Sequence, residues 1–234
     1  MSASSTNKAT LYELVYGLIS QTLVPVGAES LRLLPDSIVL GTAVLSILSM
    51  CKSYAVMLFT MVEVMFIQRI LGNIIGGIAP IGAGPDAMHG VCQPGFHFPN
   101  SMRISLLETI GIPSYLPSPV MFFLSSIISY MISSMNEFSR EIKALGGDLA
   151  TRTTVGVSMG ILLLLAMLAF RYSYGCESFG TLFVSLILGG LMGMALIQQN
   201  KALFGRDGIN ILNLPMIQTS EERGKPMFVC AAAS

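Results

Sequence analysis

A chain of 234 residues that is 53% hydrophobic and 11% charged, with a mean hydropathy of +0.70, carries more apolar surface than a water-soluble fold can bury. The formal net charge is zero, which leaves no case for a nucleic-acid partner. The composition points to an all-α integral membrane protein whose first partner is the lipid bilayer.

Residues 1–36 read as an N-terminal segment with one amphipathic helix. Met1–Thr10 lacks a basic stretch followed by an apolar core, so a span rather than a cleaved leader is expected to direct insertion. Thr10 and Glu13 make a capping box, and Leu11, Leu14, Val15, Leu18 and Ile19 recur at helical spacing until Pro25 ends the run. The stretch is too short and too polar to span. It reads either as a helix lying at the interface or as one packed against the other helices. Asp36, after Pro35, is placed to cap the helix that follows.

Residues 37–75 form one long or two short membrane helices, with Lys52, Glu63 and the Gln68–Arg69 pair as interruptions. The chain could divide at Cys51-Lys52-Ser53, but no Gly or Pro turns it there, which favours a single crossing. Glu63 and Lys52 then lie near membrane depth. A carboxylate at that depth marks an ion or proton pathway, or else it pairs with a neighbour near a surface while Lys52 snorkels; the second reading is the plainer.

Residues 76–118 are an extra-membrane loop rich in Gly and Pro, with room for one short amphipathic helix over Ser101–Ile110. His89, Cys92 and His97 match no zinc-ligand spacing and lack a fourth ligand, so no metal is expected.

Residues 119–199 hold three transmembrane helices with short connections, giving four spans in all, or five. Pro119 opens the first, Val120–Ser134, whose serines can bond to the preceding turn or to adjacent helices. It continues to Leu145; Gly146–Gly147 stops it and Asp148 caps the return helix. Two uncharged runs, Val155–Phe170 and Gly180–Gln198, then form a hairpin around the polar turn Arg171–Phe179, with Gly175 as a left-handed stop. Gly156 and Gly160 stand four apart on the first run; Ser185, Gly189 and Gly193 repeat at the same spacing on the second. Lipid tails give helices no hydrophobic reason to associate, so close approach over small residues must supply the contact, and the two stripes are expected to face each other. Residues 200–234 form an extended tail, with a turn at Gly205–Gly208 and too much apolar character for a merely solvated arm.

With four spans, one side gathers Lys8, Arg32, Arg140, Lys143, Arg152, Lys201, Arg206, Arg223 and Lys225, against Arg69, Arg103 and Arg171 on the other. The richer side should face the cytoplasm or its equivalent. A fifth span moves only the N-terminus. Either count puts Cys92 and Cys176 together on the opposite face, where proximity and an oxidising compartment would permit a disulfide.

No nucleophile–base arrangement, phosphate-cradling loop or paired carboxylates stand out, so neither an enzyme nor a cofactor is expected. Arg171-Tyr-Ser-Tyr-Gly-Cys-Glu-Ser178, the Gly-rich span after it, Leu203-Phe-Gly-Arg-Asp-Gly-Ile-Asn-Ile-Leu-Asn-Leu-Pro215 and Gly224-Lys-Pro-Met-Phe-Val-Cys230 resemble multi-spanning proteins of large icosahedral double-stranded DNA viruses, chlorovirus-like members foremost. The resemblance covers roughly the C-terminal quarter. It implies a membrane-embedded minor capsid protein that ties the internal virion membrane to the capsid shell, and that resides in a host membrane during assembly. Its implied partners are other capsid or membrane proteins and copies of itself, gripped through the loop and the tail. The alternative is a small channel or transporter that uses Glu63, although the broken helices and repeated halves of many transporters are missing.

Overall fold

The computed structural model describes residues 16–17, 19–78, 92–97, 103–107, 116–144 and 147–212. The Thr10–Glu13 capping box, His89 and the tail beyond Leu212 lie outside the described residues. A π-helical turn, Ile19–Leu23, runs into α1 (Val24–Ser49), and α2 (Lys52–Ile78) follows. β1 (Phe96–His97) pairs antiparallel with β2 (Arg103–Ile104), after which come α3 (Pro119–Glu137), α4 (Ser139–Ala144), α5 (Gly147–Ser173) and α6 (Phe179–Gly208). Apart from that two-residue pairing the described elements are all helical. Five helices, α1, α2, α3, α5 and α6, are long and apolar enough to cross a membrane.

The fifth comes from a break that favouring a single crossing overlooked. Met50 adopts the left-handed conformation (φ 51°, ψ 22°) and separates α1 from α2 without any Gly or Pro. Such a turn costs a non-glycine residue roughly 1–2 kcal/mol, which the packing of the two helices against each other offsets. The prolines also act differently from expectation. Pro25 lies where the π-helical turn passes into α1 and does not end a helix. Pro35 lies inside α1, so Asp36 caps no helix of its own and is left to bond elsewhere. Arg103–Ile104 is extended in β2, so no continuous helix covers Ser101–Ile110.

The core is α3. Ser118 caps it by accepting from the Met121 amide (3.5 Å), Pro119 supplies a preset first turn, and Val120 to Ile128 is buried without interruption. A helix apolar on every side belongs in the middle of a bundle. Its main partner is α6, which buries Leu182, Ser185, Gly189, Gly193, Leu196 and Asn200 in one stripe at helical spacing. The hairpin joining α5 to α6 ends as its sequence suggests. Gly175 (φ 66°) closes α5, with Cys176 N–H donating to Arg171 O (3.0 Å) and Gly175 N–H to Tyr172 O (3.1 Å). Beyond that turn α5 and α6 touch little, and α5 keeps Val155, Met159, Leu162 and Leu165 exposed.

The helix ends sort into two groups. At one end residues 92–97 and 103–107, the start of α3 and the α5–α6 turn meet. At the other, Lys52 Nζ donates to Phe204 O (2.8 Å), Lys201 pairs with Glu137 (2.7 Å) and Arg206 with Glu141 (3.0 Å). α6 carries on past Gln199 to Gly208, bending at Gly205 (φ 75°), so residues 200–208 belong to the helix and not to a tail.

Candidate functional site

Three constellations hold polar side chains where the apolar bundle would otherwise exclude them. The first pins the loop. Cys92 and Cys176 are joined by a disulfide with Cα atoms 5.4 Å apart. Arg171, buried beside it, donates to both Glu177 oxygens (2.7 and 3.3 Å) and to Cys92 O (3.3 Å). A buried guanidinium is tolerable when paired and fully hydrogen-bonded in this way, and the third bond holds the loop in register. A second anchor comes from α1. Asp36, fully buried, accepts from the Leu106 and Leu107 amides (2.7 and 3.1 Å) and from Ser105 Oγ (3.2 Å). The loop crosses itself tightly here: a Cβ on Gly95 (φ 111°) would stand 2.9 Å from Ile104 O, so only glycine fits. Gln68 Nε2 donates to Pro117 O (3.2 Å) and Ser118 N–H to Ser185 Oγ (2.7 Å), fastening the loop's exit to α2 and α6.

The second constellation is the small-residue stripe, and it faces a different helix from the one anticipated. Ser185, Gly189 and Gly193 lie against α3: a Cβ on Gly189 would come 2.5 Å from Phe122 O, and one on Gly193 2.9 Å from Tyr130 N. Gly160 also looks to α3, where its Cβ would meet Ile128 Cγ2 at 3.4 Å, whereas Gly156 faces open space. The two stripes therefore do not meet. Ser125, Ser126 and Ser129 give α3 both a flat surface and hydroxyls, which the leucine run of α5 lacks. Ser129 Oγ donates to Gly190 O (2.8 Å) and Ser125 Oγ to Ser185 O (3.5 Å), while Ser126 Oγ bonds back to Phe122 O (2.7 Å).

The third is a polar layer between α2, α3 and α6. Asn200, fully buried, donates through Nδ2 to Thr60 Oγ1 (2.6 Å) and Tyr130 OH (3.1 Å). Next to it Gln199 Nε2 donates to Glu63 Oε1 (2.6 Å). Glu63 thus lies at a partly exposed edge of the layer, bonded to a neighbour. Cys92 is spent in the disulfide, and among the described residues no three His, Cys, Asp or Glu side chains gather as metal ligands.

Asp36, Arg171 and Asn200 were missed as a set by reading the sequence. Their signal was an ionisable or amide side chain inside or beside an apolar run, which marks burial with partners but does not name them. Compared with protein-family models, curated proteins and solved structures, the chain matches none.

Proposed function

We propose that the chain is a structural integral membrane protein, a five-helix anchor that presents a pinned loop at one face and a basic end at the other to a protein layer. The observation that carries this reading is where the buried polar groups spend their bonds. Asn200, Ser118, Ser125, Ser129 and Ser185 tie one helix to the next, and Asp36 and Arg171 hold loop backbone. A channel or transporter keeps such groups available along a route for its cargo. Glu63 instead gives one oxygen to Gln199 at the bundle edge, while its other oxygen and Asn200 Oδ1 are buried without a hydrogen-bond partner among the described residues.

The resemblance of the C-terminal quarter gives this anchor its setting: the internal membrane of a virion, reached through a host membrane during assembly. The loop and the α4 end would bind neighbouring capsid or membrane proteins, or copies of the same chain. Quantitative proteomics on purified particles, before and after lipid is stripped with detergent, tests this directly. Stoichiometric copies that remain with the shell support the anchor; absence from particles, or complete loss with the lipid, refutes it. Glu63→Gln separates the alternative, since an anchor tolerates the change whereas a channel built on that carboxylate loses its flux in proteoliposomes.

A further inference from the structure

A groove of about 250 Å³ opens between α3, α5 and α6. Its floor on α3 runs from Ser125 to Asn136, which at 1.5 Å per residue is about 16 Å. That is half of a hydrocarbon core about 30 Å thick, so the groove has the depth of one leaflet. It ends where α3 hands over to α4, the end at which Lys201 and Arg206 meet Glu137 and Glu141.

The chemistry changes in order along it. The deep walls are Ile128, Ile161, Leu164, Leu186 and Met194. Ser125 and Ser129 interrupt them, but both hydroxyls are turned into backbone carbonyls and offer the groove little polarity. Nearer α4 come Ser133 and Asn136, neutral and polar. Next along the chain, Arg140 and Lys143 stand three apart on α4, both exposed, and neither has an ionic partner among the described residues. The basic residues of α6 nearby are already neutralised by glutamates.

Apolar, then neutral polar, then cationic is the order of acyl chain, glycerol ester and phosphate in a phospholipid. We propose that this groove holds one acyl chain of an anionic phospholipid from the leaflet on the α4 side, with its phosphate at Arg140 and Lys143.

The test uses the full chain in nanodiscs, with native mass spectrometry counting retained phosphatidylglycerol against phosphatidylcholine of the same acyl chains. Each basic side chain near a surface favours an anionic lipid about five-fold, so the two together should give a preference of about thirty-fold. Replacing both, with Arg140→Gln and Lys143→Gln, should bring the preference to about one while phosphatidylcholine retention stays. Gly190→Phe should empty the groove of both lipids, because a side chain there meets nothing within 4 Å and projects into open space. Equal retention of the two lipids by the native chain overturns the proposal. So does phosphatidylglycerol retained undiminished by Gly190→Phe, or copies cross-linked efficiently through Ile132→Cys. Should Gly190→Phe fail to fold, the charge variants still decide the headgroup half, since both side chains lie on the surface.

Discussion

Gly189 and Gly190 are neighbours in sequence and should respond oppositely to the same methyl group. At Gly189 the added carbon would stand 2.5 Å from Phe122 O and 3.1 Å from Phe122 Cα, where ordinary contact begins at 3.4 Å. Ser125 Oγ stands nearer still and can swing aside, but the Phe122 backbone cannot, so α3 and α6 must part by about 1 Å. Overpacking of this kind costs roughly 1–3 kcal/mol. The same separation stretches the bonds from Ser129 Oγ to Gly190 O (2.8 Å) and from Ser118 N–H to Ser185 Oγ (2.7 Å) beyond useful length. Interhelical hydrogen bonds in membranes average about 0.6 kcal/mol each, and alanine returns up to about 1 kcal/mol in helix propensity. Gly189→Ala is therefore expected to lose about 2 kcal/mol. Gly190→Ala, with nothing within 4 Å of its Cβ, should keep the propensity gain alone. The pair should differ by about 3 kcal/mol, or about 6–12 °C in Tm for a chain of this size. Circular-dichroism melts of both variants in one detergent measure it. If the two melt together, α3 and α6 do not approach along this stripe and the packing described above is wrong.

Asp36→Ala should leave the Leu106 and Leu107 amides and the Ser105 hydroxyl without their acceptor. Hydrogen exchange at those two amides should then quicken by about 100-fold, for about 3 kcal/mol lost from the anchor; unchanged protection would show that the loop is held elsewhere. Asn200→Leu and Thr60→Val, singly and together, should give a coupling of about 0.5–2 kcal/mol in a double-mutant cycle of unfolding, and additive effects would dissolve the proposed layer. Non-reducing peptide mapping should recover Cys92 linked to Cys176. Because 84 residues separate them, Cys176→Ser should cost about 4–5 kcal/mol in the chain-entropy account, read as a lower midpoint of SDS unfolding. Membrane-impermeant maleimide should label Lys143→Cys from one side only and Ile104→Cys from the other; labelling from the same side would refute the five-helix arrangement.

The helices were legible because their signal is one-dimensional. A run of apolar residues as long as a bilayer is thick names a span, and Gly175 ends α5 as its place in the turn suggests. The face of Ser185, Gly189 and Gly193 was legible too, since small residues four apart announce a contact. Its partner was not. Sequence adjacency argued for α5, and choosing α3 required knowing that Ser125 and Ser129 would bond across to α6, a complementarity between segments some sixty residues apart. Met50 was illegible for another reason. A methionine in the left-handed region carries no mark in the sequence, and only the packing of α1 on α2 makes it affordable. Asp36 was read as a cap because Pro-Asp before an apolar run usually is one. The pattern describes local bonding, and here the carboxylate serves a loop about seventy residues away.

The break at Met50 changes more than a count. If all five helices long enough to cross do so, the start of α1 and the end of α6 fall on opposite sides, and Arg32 moves from the α4 end to the loop end. Lys52, Arg140, Lys143, Arg152, Lys201 and Arg206 then stand together against Arg32, Arg69, Arg103 and Arg171. By the positive-inside rule this excess still supports the proposal that the α4 end faces the cytoplasm or its equivalent. The disulfide supports the same proposed orientation without any reference to charge, because a bond between Cys92 and Cys176 is stable where the compartment is oxidising. Two unrelated constraints therefore support one proposed direction. The anchor proposed above, so oriented, would offer the disulfide-pinned residues around Cys92 on one side and a short basic helix on the other. The proposed partner layer would be better served by the first, because residues already held by a disulfide and by Arg171 give up little conformational entropy on binding.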